Sequence, residues 1–199
     1  MQPWAIALAL FGGALLVSGA AEASRPAPAG GGSGAGPAPG DGGWMPPPSG
    51  PVVPGGRILQ SYNPGRGHYG VDLAAPIGTP VRAAASGTVA HVWPNGQLHG
   101  AGNAVSLRHD DGTTATLYYH LADYAVQRGQ RVTQGELLGH VGNTDSSAAG
   151  YTSTPHLHLE VLALRSARDA EHFNGTTTPP RQDPQAWARA HGVSLVGAA

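Results

Sequence analysis

From Thr154 the chain reads TPHLHLEVLAL, with apolar residues on alternate positions through its first half. Successive side chains of an extended strand point to opposite faces, so Leu157, Leu159 and Val161 share one side while His156, His158 and Glu160 share the other. Similar short runs recur upstream. GTVAHVW (87–93) reads as a strand. AVSLRHDDGTTATLYYHL (104–121) gives two strands around Asp110-Asp111-Gly112, whose Asp-Gly step suits the positive φ of a tight hairpin. QRVTQGELLGHVG (130–142) gives two short strands around Gln134-Gly135. Helical periodicity is scarce, and only PQAWARAHG (184–192) predicts a helix, with Pro184 suited to its first turn and Gly192 to its stop. The pattern predicts a mainly β fold: a compact antiparallel β-sheet or β-sandwich-like domain with a short terminal helix.

Two stretches ahead of these strands lack that pattern. The first has an apolar run from Trp4 to Ala21 followed by Ala21-Glu22-Ala23, a small-x-small signal that resembles an export cleavage site. Residues 1–23 are accordingly expected to be a signal peptide and the protein to be secreted or periplasmic. No basic side chain precedes the apolar run, so an uncleaved membrane anchor is the alternative. A Cys-linked lipid anchor is excluded, because the chain has no Cys. The second stretch, residues 24–56, holds almost nothing able to build a core and is expected to be a flexible Pro/Gly-rich linker, with Trp44 and Met45 its conspicuous exceptions. The folded domain is then expected to span 57–196.

Composition narrows the chemistry. The length of 199 residues suits one domain with appendages. Basic and acidic residues nearly balance, 11 against 12, and no basic run is present that would track a phosphate backbone, which argues against a nucleic-acid partner. Every basic residue is Arg and none is Lys. With Cys also absent, there is no disulfide framework, thiolate metal site or Cys nucleophile, so any metal is held by nitrogen and oxygen.

Two histidine patterns carry the candidate chemistry. His156 and His158 share a strand face, which alone also fits the polar side of a half-buried strand. His68 and Asp72 are four apart in HYGVDLAAPIGTPV, where Gly70, Val71 and Pro76 favour an extended segment that turns 68, 70 and 72 the same way. Alone, that pair also fits a surface His beside a turn Asp.

The stretches HYGVDLAAPIGTPVRAAASGTV, YYHL and HLHLE, with GQRVTQGELLGHVGNT between the last two, occur together and in order. From about Gln60 to Leu162 the chain resembles the lysostaphin-type, or LytM-like, zinc metalloendopeptidases of bacterial cell walls. The resemblance implies that His68, Asp72 and His158 are metal ligands for one Zn2+ per chain, leaving a fourth tetrahedral position for water. It implies that His120 and His156 are catalytic, one accepting a proton from that water and the other, when protonated, donating to the oxyanion. The implied substrate is peptidoglycan, cut in its stem peptides or cross-links. The mature domain is expected to have no membrane partner unless residues 1–23 are retained, and a monomer is favoured.

Other residues keep open alternatives. Glu160 either orients His158 or is solvated. Tyr118, Tyr119 and Asn103 either line the cleft or serve the core and turns. His91, His99, His109, His140, His172 and His191 read as structural or exposed, and Asn63 as a turn residue or a metal contact in a resting form. Asp145 stands where the family commonly has Gly, which bears on substrate preference through the loop that follows. A non-catalytic scaffold of the same fold is the competing reading, but such a scaffold lacks one or more of the five site residues, and all five are here. The Gly-centred turns also resemble lipoyl or biotinyl carriers, which the absence of Lys excludes.

Overall fold

The computed structural model describes residues 50–98, 100–145, 154–170 and 179–197. The expected signal peptide, residues 24–49 of the expected linker, and His99 and His172 lie outside the described residues. Among the described residues twelve strands form in chain order: β1 (Val53–Pro54), β2 (Arg57–Gln60), β3 (Val71–Ala74), β4 (Pro80–Arg82), β5 (Gly87–Trp93), β6 (Asn103–His109), β7 (Thr114–Tyr124), β8 (Arg131–Val132), β9 (Leu137–Val141), β10 (His156–Ala163), β11 (Arg181–Gln182) and β12 (Val196–Gly197). The helix α1 spans Pro184–Ala190. Its N-cap Asp183 accepts from the Gln185 N–H, and Gly192 follows it at φ 65°.

Ten strands form one antiparallel sheet with the path β2-β3-β10-β7-β6-β5-β8. The β6–β7 hairpin turns through Gly112 at φ 69°, as its Asp-Gly step predicts. The two strands around Gln134-Gly135 do not pair with each other: β8 joins β5, while β9 joins β4 and β7. Along one edge of β10, β3 covers the first half and β11 the second; β7 covers the other edge.

Apolar side chains cover both faces of β10. Leu157, Leu159 and Val161 are fully buried in the larger core with Val71, Leu73 and Tyr118. Leu162 joins a smaller cluster with Leu117 and Tyr119 on the side that carries His158 and Glu160. Each fully buried Leu or Val contributes about 1.5–3 kcal/mol, enough to fix the register and hence the direction of every polar side chain on the strand.

Two residues ahead of the domain start expected at 57 pack with the strands that follow. Val52 and Val53 are buried, and β1 pairs in parallel with β12 through Val53 and Val196. The composition of residues 24–56 hides these two core residues among Pro and Gly.

Candidate metal centre

Within the sheet, His158 is paired on both sides, with Asp72 on β3 and Tyr119 on β7 as its directly opposed residues. Directly opposed residues share a face, so the three side chains form one row across three strands. His158 Nδ1 lies 2.7 Å from Asp72 Oδ1, and the Tyr119 ring stacks on the imidazole with centroids 5.5 Å apart and planes 2° apart. Gly70 flanks the same ring, since a Cβ there would lie 2.5 Å from His158 Nε2.

His68 arrives from a turn. Pro64–Arg66 form a short 3-10 helix, Gly67 reverses the chain at φ 76°, and the backbones of Asn63 and His68 bridge each other. Asn63 therefore has a backbone role in this turn. His68 Nδ1–H donates to the Ser61 carbonyl at 2.8 Å, which directs Nε2 to 3.1 Å from Asp72 Oδ1. The convergence of His68 and Asp72 needs no helix. One donor atom from each of His68, Asp72 and His158 lies within 4.8 Å of the others.

His156 and His120 border this group. His156 Nδ1–H donates to the Thr154 carbonyl at 2.7 Å and Nε2 lies 3.7 Å from Asp72 Oδ1. His120 Nδ1–H donates to the Thr144 carbonyl at 2.8 Å, and its ring lies 4.8 Å from that of His156. In a regular strand Tyr119 and His120 would face opposite ways. Here β7 carries an irregularity against β6, and His120 takes φ 63°, the single positive φ outside Gly among the described residues. That left-handed residue lets both side chains line a pocket of about 250 Å³ with His158, Glu160, Arg181 and Ala101.

Burial acts strongly here. It lowers the His158 pKa, but hydrogen bonds to Asp72 and Glu160 outweigh it and raise the value to about 9. Burial likewise opposes ionisation of Asp72, yet the His158 hydrogen bond and the surrounding imidazoles hold its carboxyl below the usual range. His120 is pushed down to about 4, by burial first and by His156 and His158 next, against the Thr144 hydrogen bond and the Asp145 charge. Its imidazole is thus neutral near pH 7.

The donor set fits zinc. Two imidazoles and a carboxylate are ordinary ligands of an open, three-residue zinc site. The remaining nitrogen of each is engaged, by the Ser61 carbonyl for His68 and by Glu160 Oε1, 3.4 Å from Nε2, for His158. Such outer contacts fix the tautomer of a ligating imidazole.

All five predicted site residues gather in one place. Of the open alternatives, Glu160 touches His158 and Tyr119 lines the pocket. Tyr118 is core, its hydroxyl bonded to the Ala84 N–H and to Thr116, and Asn103 ties the start of β6 to Asn95, Leu121 and Tyr124. His109 is buried between Thr114 and Thr116, His140 pairs with Asp123, and His91 and His191 lie against Trp93 and Trp187. Sequence reasoning missed Arg181, whose Nε donates to Glu160 Oε2 at 2.7 Å and whose guanidinium lies 4.6 Å from the centre of the Tyr69 ring. It also passed over the steric role of Gly70, for which the HYGVD context was the available signal.

Residues 66–171 match the family described as Peptidase family M23. The chain is 35% identical to lysostaphin of Staphylococcus simulans over 131 residues, 65% of this chain and 23% of lysostaphin. It is 38% identical to the peptidoglycan DD-endopeptidase ShyC of Vibrio cholerae over 115 residues, 53% of this chain and 24% of that protein. The crystal structure of the lysostaphin catalytic domain from Staphylococcus simulans superposes with a TM-score of 0.54 at 32% identity, covering 67% of this chain and 92% of that one. The chain thus spans about a quarter of the length of these curated relatives.

Proposed function

Because the chain belongs to peptidase family M23, we propose that its folded domain is a zinc-dependent endopeptidase of the bacterial cell envelope, hydrolysing peptide bonds in peptidoglycan stem peptides or cross-links. His68 Nε2, an Asp72 carboxylate oxygen and His158 Nδ1 hold the zinc. The observation that carries this reading is the convergence of one donor atom from each of these three residues within 4.8 Å, each imidazole already turned by a partner at one of its nitrogens. When bound, zinc supplies Lewis acidity to an attacking water and to the scissile carbonyl.

The chain's own residues do the rest. His156 and His120 each spend Nδ1–H on a backbone carbonyl, so both present Nε2 toward the centre. Between them they accept the proton of the attacking water and, in protonated form, donate to the oxyanion. Tyr119 and Gly70 fix the plane of the His158 ring. The neighbouring pocket receives one side of the substrate peptide. Export by residues 1–23 would bring the enzyme to this substrate.

The test is release of soluble fragments from purified sacculi, with mass spectrometry of the muropeptides to identify the bond cut. Intact sacculi after incubation with zinc-loaded protein would overturn the proposal.

A further inference from the structure

Three side chains continue outward from His158 on the side away from Asp72. His158 Nε2 lies 3.4 Å from Glu160 Oε1, Glu160 Oε2 accepts from Arg181 Nε at 2.7 Å, and the Arg181 guanidinium lies 4.6 Å from the Tyr69 ring centre. Glu160 is 5% exposed. A carboxylate at that depth is costly unless compensated, and Arg181 compensates it. The series begins on β10, passes to β11 and returns at Tyr69, next in sequence to His68. Arg181 therefore links the two segments that carry the imidazoles of the metal centre.

We propose that Glu160 and Arg181 form a positioning pair for His158, with Tyr69 as the seat of the guanidinium; the proposal rests on the zinc reading above. A neutral imidazole carries one proton and one lone pair, and the nitrogen that donates a hydrogen bond determines where the lone pair lies. Glu160, as an acceptor at Nε2, keeps the proton there and leaves the Nδ1 lone pair directed at the site of Asp72 and His68. Packing on Tyr119 and Gly70 sets the ring plane, but it does not distinguish the two tautomers. Arg181, by holding Oε2, fixes which of the two Glu160 oxygens faces His158. Glu160 and Arg181 both act through His158.

The experiment measures Zn2+ affinity of the full chain by competition with a chromophoric chelator, alongside the melting temperature of the metal-free protein. Glu160→Ala is expected to weaken zinc binding about 10- to 100-fold, the range for removing an outer partner of a ligating imidazole. Glu160→Gln, whose amide oxygen still accepts from Nε2, recovers part of the loss. Arg181→Met weakens binding in the parent but adds nothing in the Glu160→Gln background, because its effect passes through the carboxylate. Should Glu160→Ala fail to fold, the Glu160→Gln/Arg181→Met pair, which leaves no buried unpaired charge, supplies the comparison. Unchanged zinc affinity with a lowered melting temperature would reduce the pair to a structural clamp and overturn the inference. Independent effects of the two substitutions would overturn it as well. Failure of the parent chain to bind zinc would instead defeat the underlying zinc reading.

Discussion

His158 and Asp72 face each other across β10 and β3 as directly paired residues, Nδ1 to Oδ1 at 2.7 Å. Two positions 86 residues apart are thus fixed relative to each other by backbone register. His68, four residues before Asp72, needs only a local turn to join them.

Replacing either paired residue tests the metal assignment. His158→Ala and Asp72→Ala are each expected to abolish zinc binding and sacculus digestion, as a chelator does to the parent, with zinc returning activity only to the parent. Zinc content after dialysis and fragment release are the readouts. Normal digestion by His158→Ala would remove that residue from the ligand set.

His120 separates chemistry from metal binding. Its ring bonds the Thr144 carbonyl and lies 6.2 Å, centroid to centroid, from His158. His120→Gln is expected to keep one zinc per chain while kcat falls about 10²–10⁴-fold, the usual contribution of a positioned acid or base. Loss of zinc together with turnover would move His120 into the coordination shell.

Gly70 offers a steric test. An added Cβ would lie 2.5 Å from His158 Nε2 and 2.6 Å from the Leu159 carbonyl oxygen. Since the carbonyl belongs to the sheet backbone, the strand itself must shift, and Gly70→Ala is expected to cost about 1–3 kcal/mol of stability and to weaken zinc binding. Urea denaturation with and without zinc measures both; a variant equal to the parent in both shows that the ring has room.

His109 gives a pH dependence unrelated to turnover. Its two ring nitrogens lie 2.9 Å from the Thr114 and Thr116 hydroxyls, and burial lowers its pKa from 6.5 to about 4, the nearby charges of Asp111 and His191 acting in opposite directions. Between these values the unfolded chain binds the proton and the folded one does not, so unfolding free energy rises with pH across that window and is lost as pH falls through it. The full displacement corresponds to roughly 3 kcal/mol. Denaturation in chelator from pH 4.5 to 7 should show the slope, with part of it removed in His109→Gln. An unchanged slope in that variant excludes His109 as a source.

The alternation in TPHLHLEVLAL was sufficient to place His156, His158 and Glu160 on one face, because a period of two has only two outcomes and the buried leucines choose between them. His120 resisted the same reasoning: a left-handed residue within β7 turns it to the side of Tyr119, and an imidazole at φ 63° leaves no signature in the sequence. The strands around Gln134-Gly135 were recognisable as strands, but their partners β5, β4 and β7 are set by long-range packing that local turn chemistry does not encode. Arg181 was invisible for a similar reason. It belongs to a two-residue strand, and only pairing with β10 brings it to Glu160.

The parallel pairing of Val53 with Val196 brings the beginning and end of the folded unit side by side. A peptide of a few residues is therefore enough to connect them, and the module can be circularly permuted or inserted into a loop of a host protein at one point of attachment. New termini belong in an exposed turn such as the one at Gly112, remote in sequence from all five proposed site residues except His120.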